Sequence, residues 1–168
     1  LAVNRGKTFE SKVEAQLNKI PNVSIDRLHD QTTGYAGSSN ICDYIVYKKP
    51  YEYYLELKSV HGNTISIYGN DIKHKYGNIS NKQWEGLLEK ASIDGVFAGV
   101  IVWWIDKDIT KYISIQELQA YRNAGHKSIR YDADIGIIIH SRKLRVFFNY
   151  DWELFFHSLE KQKRRNDG

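Results

Sequence analysis

An acid and a lysine two residues apart, Glu56 and Lys58, sit in the middle of a stretch that reads as a β-strand, 52–60, EYYLELKSV. Side chains alternate between the two faces of a strand, so Glu56 and Lys58 share one face while Leu55 and Leu57 point to the other. Packing alone gives no reason to place an acid beside a lysine there. A second acid, Asp43, lies on the preceding apolar stretch, 41–47, with Lys-Lys-Pro-Tyr between the two stretches, the pattern of a β-hairpin.

The hairpin register decides whether these groups meet. A four-residue loop over 48–51 pairs residue 47 with 52 and sets Asp43 opposite Glu56. A shift of two residues sets Asp43 opposite Lys58, and all three groups still share one face. A three-residue loop puts Asp43 opposite Leu57 and breaks the site. Directly opposed residues have Cβ atoms roughly 4.5–5.5 Å apart. Two carboxylates at that spacing repel each other unless a cation lies between them. Oxygen ligands of this kind suit Mg²⁺ or Mn²⁺. Such an ion can hold a phosphate oxygen, acidify a water and stabilise a leaving oxygen. Lys58 would then orient the attacking water or offset charge on the phosphorane. Glu10, one turn before Glu14 on a predicted helix, is a candidate third carboxylate reaching in from outside the sheet. Asp-x₁₂-Glu-x-Lys is a loose pattern, and a solvated sheet face with a cross-strand ion pair accounts for the same residues.

The elements that must position these groups follow from periodicity and punctuation. Residues 7–19 read as a helix with Phe9, Val13 and Leu17 as its apolar stripe, Thr8 as a cap and Pro21 as its end. A short strand over 23–28 follows, then a turn-rich loop over 29–40. Residues 61–79, with three glycines and three asparagines, read as a long irregular excursion. Ser80 caps a helix over 81–92. The run 96–105, VFAGVIVWWI, is a buried central strand that sends Trp103 and Trp104 to opposite faces of the core. Ser114 and Glu117 have capping-box spacing for another helix that Gly125 ends. Two strands, IGIIIH and LRVFF, are expected within 134–148, and a last helix runs from Asp151 to about Lys163, with a basic tail. The fold class is α/β, a mixed central β-sheet flanked by helices.

Composition narrows the function. The chain has 168 residues, enough for one domain over 1–168, and 42% of them are hydrophobic, enough for a core. The formal net charge is +4 and the pI is near 9.0, a mild push toward acidic partners such as nucleic acid. The single cysteine, Cys42, permits no internal disulfide and no cysteine-rich zinc site, which fits a reducing cytoplasmic compartment. No apolar run approaches the ~18 residues of a membrane span, and no signal peptide opens the chain. Methionine is absent, so residue 1 is not expected to be the natural start. The six histidines form no His-x₃-His pair. No phosphate-cradling Gly-x₄-Gly-Lys loop or Gly-x-Ser-x-Gly elbow occurs, which disfavours nucleotide-dependent and serine-hydrolase chemistry.

Basic and aromatic residues mingle at the hairpin tip (Lys48, Lys49, Tyr51, Tyr53, Tyr54) and in the long excursion (Tyr68, Lys73, Lys75, Tyr76). Such mixtures suit phosphate contacts and base stacking, although a solvated surface explains any one of them. The basic C-terminal residues Lys161, Lys163, Arg164 and Arg165 suit phosphate contact or a helix C-terminus equally.

Taken together, the sequence resembles the PD-(D/E)xK nuclease superfamily, with its restriction-endonuclease-like core, and more narrowly the RecU-type Holliday junction resolvases. Asn4-Arg5-Gly6-Lys7-Thr8-Phe9-Glu10 is similar to the family's opening with its helix glutamate. Ser38-Ser39-Asn40-Ile41-Cys42-Asp43-Tyr44 resembles the serine-rich approach to the family's Asp-Tyr. Glu56-Leu57-Lys58 resembles the Glu-x-Lys strand, and Asn78 to Gln83 the Asn-x₄-Gln that opens the second helix. Gly125-His126-Lys127-Ser128-Ile129 resembles a late basic segment. The resemblance implies a homodimer that cuts four-way DNA junctions symmetrically in recombination and repair with Mg²⁺ or Mn²⁺. It implies a catalytic set of Glu10, Asp43, Glu56, Lys58 and Gln83, with Asp43, Glu56 and Glu10 on the metal. Arg5, Lys7, Ser38, Ser39, Lys73, Lys75, Asn78 and Lys82 are the expected DNA contacts. Cys42 stands where the superfamily name has proline. The 29–40 connection is short where RecU-type proteins carry a stalk, which points to a stalk-less or phage-like variant, as in the archaeal resolvases. The other classes left open are a restriction- or repair-type endonuclease on the same core and a catalytically silent DNA-binding module.

Overall fold

The computed structural model describes residues 5–28, 40–145 and 147–167. In chain order the elements are α1 (Arg5–Leu17), β1 (Ser24–Arg27), β2 (Tyr44–Lys48), β3 (Tyr51–Val60) and β4 (Thr64–Ser66). A 3-10 turn (Ile72–His74) leads to α2 (Asn81–Ala91), then β5 (Val96–Trp104). A second 3-10 turn (Ile105–Lys107) precedes β6 (Ile109–Ser114), α3 (Ile115–Asn123), β7 (Ser128–Arg130) and β8 (Ile137–Ile138). The chain closes with β9 (Ser141–Lys143), β10 (Phe148–Tyr150) and α4 (Trp152–Asp167).

Six strands form one mixed sheet in the order β1-β2-β3-β5-β6-β8. β3 and β5 run parallel, joined by a crossover through α2, and the other pairings are antiparallel. Both faces of the sheet are covered. On one, Phe9, Val13 and Leu17 of α1 and Trp152, Phe155 and Phe156 of α4 pack on Tyr44, Tyr53, Leu55, Leu57 and Trp103. On the other, Trp84 and Leu87 of α2 and Leu118 of α3 pack on Tyr54, Val100, Val102 and Trp104. The two tryptophans of β5 thus go to opposite faces, as alternation demands. The result is an α/β protein with a mixed six-stranded sheet between helices.

The sequence places most of these elements, and the differences have local causes. The first helix already begins at Arg5, so Thr8 lies within it rather than capping it. The 61–79 excursion contains β4, paired with β7, because Ile65 and Ile129 are both buried between less buried neighbours. β6 over 109–114 has no counterpart among the expected strands: its four middle residues are all buried, Thr110 and Lys111 among them, so no alternation marks it in the sequence. Of the described residues of LRVFF only Phe148 lies in a strand, as the first residue of β10, and the Leu144 N–H donates to the carbonyl of Phe147. IGIIIH contributes only the two residues of β8. Ser80 and Ser114 each complete a capping box, with Gln83 and Glu117 respectively, each cap being worth about 1 kcal/mol.

Candidate active site

The β2–β3 hairpin turns over Lys49-Pro50 and pairs Tyr47 with Glu52 and Tyr44 with Leu55. One step further, the Asp43 N–H donates to the carbonyl of Leu55, so Asp43 stands opposite Glu56. The register that the four-residue-loop reading requires is therefore present, with a tighter turn. Glu56 and Lys58 lie on the α2 face of β3, while Leu55 and Leu57 enter the core under α1 and α4.

Glu56 is only 2% exposed. Its Oε1 accepts from the Gln83 amide at 2.7 Å and sits 2.9 Å from Lys58 Nζ. Lys58 also donates to Gln83 Oε1 at 3.3 Å, and the same oxygen takes the Ser80 N–H at 3.0 Å. Gln83 therefore ties the first turn of α2 to both functional side chains of β3. The Leu57 N–H donates to Asp43 Oδ2 at 2.7 Å, which locks the aspartate against the strand.

Burial, and secondly the Asp43 charge, push the Glu56 carboxyl up to about 8, against the opposing pull of Lys58. Burial also raises Asp43, held back by the Leu57 N–H and by Lys58. A carboxyl raised this far favours one proton on the Glu56–Asp43 pair near neutral pH. Glu56 Oε2 is buried and takes no hydrogen bond from any donor among the described residues. A buried carboxylate oxygen without a donor beside a second carboxylate is a fit for a hard cation, which would replace the shared proton.

Glu10 is on α1, which packs on the opposite face of the sheet. Its carboxylate pairs with Arg27 at 3.2 Å, and Glu14 pairs with the same guanidinium at 3.0 Å. Among the described residues no group of three or more His, Cys, Asp or Glu side chains is placed to hold a metal ion. Glu10 nevertheless borders the same cleft as Asp43. That cleft encloses about 700 Å³ and is lined by Lys7, Glu10, Arg27, Asn40, Asp43 and Gln83, among others. Arg27 is the cleft residue that sequence reasoning missed; a lone arginine on a four-residue strand carries no pattern to flag it.

The expected DNA contacts divide. Arg5 and Lys7 are exposed on α1, and Lys82 is exposed beside Gln83 at the start of α2. Lys73 and Lys75 are exposed on the excursion before α2. Asn78 has an internal task, accepting the Ser66 N–H on Oδ1 at 2.7 Å. Ser38 and Ser39, with residues 29–37 of the expected loop, lie outside the described residues. At the hairpin tip the mixed basic-aromatic reading gives way to core packing. Tyr53 is buried and donates to Glu160 at 3.1 Å, and Lys48 pairs with the same carboxylate. Tyr54 and Tyr76 are buried as well. Lys163 of the basic C-terminal helix is tied to Asp94 at 2.7 Å. Burial drives the Cys42 thiol up to about 12, which makes it an inert packing residue.

The chain is similar to Hjc of Archaeoglobus fulgidus, a Holliday junction resolvase from an archaeal hyperthermophile. The match covers 68% of this chain and 75% of Hjc, at 16% sequence identity and a TM-score of 0.45. No protein-family model matches the sequence, and no curated protein does. At that level of identity the residues of the site, rather than the likeness, must carry any reading of function. No helix among the described residues is long and apolar enough to cross a membrane.

Proposed function

We propose that this chain is a metal-dependent endodeoxyribonuclease of the PD-(D/E)xK kind that cuts four-way DNA junctions as a homodimer, using Mg²⁺ or Mn²⁺. The observation that carries the reading is the opposition of Asp43 and Glu56 on one sheet face, with Lys58 2.9 Å from Glu56 and a buried Glu56 oxygen lacking a donor.

Asp43 and Glu56 are the side chains that would hold the cation, and Glu10, whose Oε2 pairs with Arg27 at the edge of the same cleft, is the third carboxylate that could join them. When bound, a divalent ion supplies electrophilic pull on a phosphate oxygen and a water of lowered pKa. Lys58 keeps a cationic Nζ beside the carboxylate pair, where it can orient a water or meet charge developing on phosphorus. Gln83 acts through its neighbours: it positions Glu56 and Lys58 and makes the start of α2 part of the site. Exposed Lys7 and Lys82 lie at the cleft and beside Gln83, where they suit backbone phosphate. The four-way junction, the dimer and one nuclease domain spanning 1–168 rest on the sequence's resemblance to RecU-type resolvases.

The test is cleavage of labelled four-way junction, linear duplex, flap and single strand at one stated salt concentration, with Mg²⁺, Mn²⁺ or chelator. Paired symmetric nicks on the junction, absent with chelator, are expected. Equal cutting of linear duplex would keep the nuclease and discard the junction. No cutting of any DNA with metal present would overturn the proposal.

A further inference from the structure

The excursion between β4 and α2 is built rather than loose. A Cβ at Gly69 would stand 1.9 Å from the His74 carbonyl oxygen, and one at Gly77 2.4 Å from Ser66 Oγ, so both close approaches need glycine. Asp71 caps the 3-10 turn by accepting the His74 N–H. Asn78 fixes Ser66, and Asn81 of α2 donates to the Ile72 carbonyl at 2.6 Å. The segment is thus clamped to the helix whose Gln83 holds Glu56 and Lys58.

What this clamped segment displays is unusual. Ile72 is 90% exposed and Tyr68 37% exposed. Beneath Tyr68 runs a stacked ladder: Trp84 against Tyr76 at 4.5 Å, then the Arg122 guanidinium 5.0 Å from Tyr76 and 5.6 Å from Tyr68. Arg122 is fixed in turn by donating to the carbonyls of Ile67 and Lys75. Lys127 lies 4.9 Å from the Tyr68 ring. Lys73, Lys75, Lys82 and Lys127 make no ion pair among the described residues, whereas Lys48, Lys58, Lys143 and Lys163 each do. Unneutralised lysines around an exposed aliphatic tip and a braced aromatic ring suit one chemistry. Phosphates meet the lysines, the aliphatic side chain wedges at a base step, and the ring takes an unstacked base.

We propose that residues 68–77 form a base-stacking wedge, in which Ile72 enters a break in the base stack and Tyr68 receives the freed base. Lys73, Lys75 and Lys127 hold the flanking phosphates. This rests on the reading of the chain as a DNA-acting protein and adds to it a binding subsite outside the cleft of Asp43 and Glu56.

The experiment uses the full chain and a four-way junction with 2-aminopurine at the branch point, with the same label inside a continuous duplex for comparison. Binding and fluorescence are read in chelator, and cleavage is read separately in Mg²⁺ and Mn²⁺. The wild-type chain is expected to raise branch-point fluorescence on binding. Ile72→Ser and Tyr68→Ala should each lose that rise and weaken junction binding by about tenfold, within the range that base stacking sets. Ile72→Ser removes no buried contact, so it tests the wedge even where Tyr68→Ala disturbs the ladder. Unchanged fluorescence and affinity in Ile72→Ser would overturn the wedge, even if the wild type cuts DNA with metal. A wild type that opens the branch point but cuts nothing would instead overturn the proposed reaction and leave the wedge standing.

Discussion

Asp43 and Glu56 face each other across the β2–β3 hairpin, where two charged carboxylates would repel each other. Glu56 is buried and its carboxyl is raised to about 8, while Asp43 is pinned by the Leu57 N–H. Proton and metal are therefore expected to compete for one place between two strands.

The competition gives a pH dependence of defined sign. Folded Glu56 titrates near 8 against an ordinary 4.5, so the fold binds more protons than the unfolded chain between those values. Its contribution to stability is fully present below about 4.5 and is lost as pH rises through about 8. Melting curves in chelator should show this loss, and Mn²⁺ should reverse it by taking the place of the proton. Metal affinity and cleavage rate should both climb with pH toward about 8. A profile flat from 5 to 9 would contradict the shared proton.

Asp43→Asn keeps the size of the side chain and removes a carboxylate. Metal-dependent cutting should fall by more than the roughly hundredfold that loss of a supporting residue costs, while DNA binding is kept or tightened. Single-turnover cleavage and a binding titration on the same junction check both. Glu56 should then titrate lower, having lost the facing charge.

Lys58→Ala should slow cleavage with metal binding retained at high pH. Lys58 lowers the Glu56 carboxyl, so its removal should also move the rising limb of the pH profile upward. A calorimetric metal titration near pH 9, set beside the rate profile, separates a role in chemistry from a role in holding the ion.

Gln83→Ala removes the amide that Glu56, Lys58 and the Ser80 N–H all use. Leaving buried Glu56 short of a donor costs about 1–3 kcal/mol of stability. Activity should fall roughly 10- to 100-fold, as for a residue that orients a metal ligand. Gln83→Glu should restore the capping geometry but not the rate, because a third carboxylate pushes Glu56 further toward its protonated form. Melting temperature, rate and the pH profile together distinguish positioning from simple loss of fold.

Much of this was legible in the sequence where a local rule governs. The α1 stripe of Phe9, Val13 and Leu17 follows helical spacing, whereas loop length left the hairpin register open: an even loop puts Asp43, Glu56 and Lys58 on one face, a three-residue loop does not, and the turn at Lys49-Pro50 has the even length. The central strand hides its sides, because Tyr53 and Tyr54 are both buried between two helical layers. Burial of both faces is also why the hairpin-tip tyrosines read as binding residues when they are core. The contact of Gln83 with Glu56 spans 27 residues and arises from how α2 packs on the sheet, which no local pattern encodes. The pairing of Arg27 with Glu10 likewise joins β1 to α1 across 17 residues, which no local pattern encodes. Short strands such as β4 and β7 escape notice because three residues carry too little alternation to stand out.

The most direct test of the central claim is a calorimetric titration of Mn²⁺ into the full chain at pH 7, in two buffers of different ionisation enthalpy. If Asp43 and Glu56 hold the ion in place of a shared proton, binding should release about one proton per metal. That release should vanish, together with most of the affinity, in Asp43→Asn. Tight Mn²⁺ binding without proton release, equal in wild type and Asp43→Asn, would place the metal elsewhere and contradict the account.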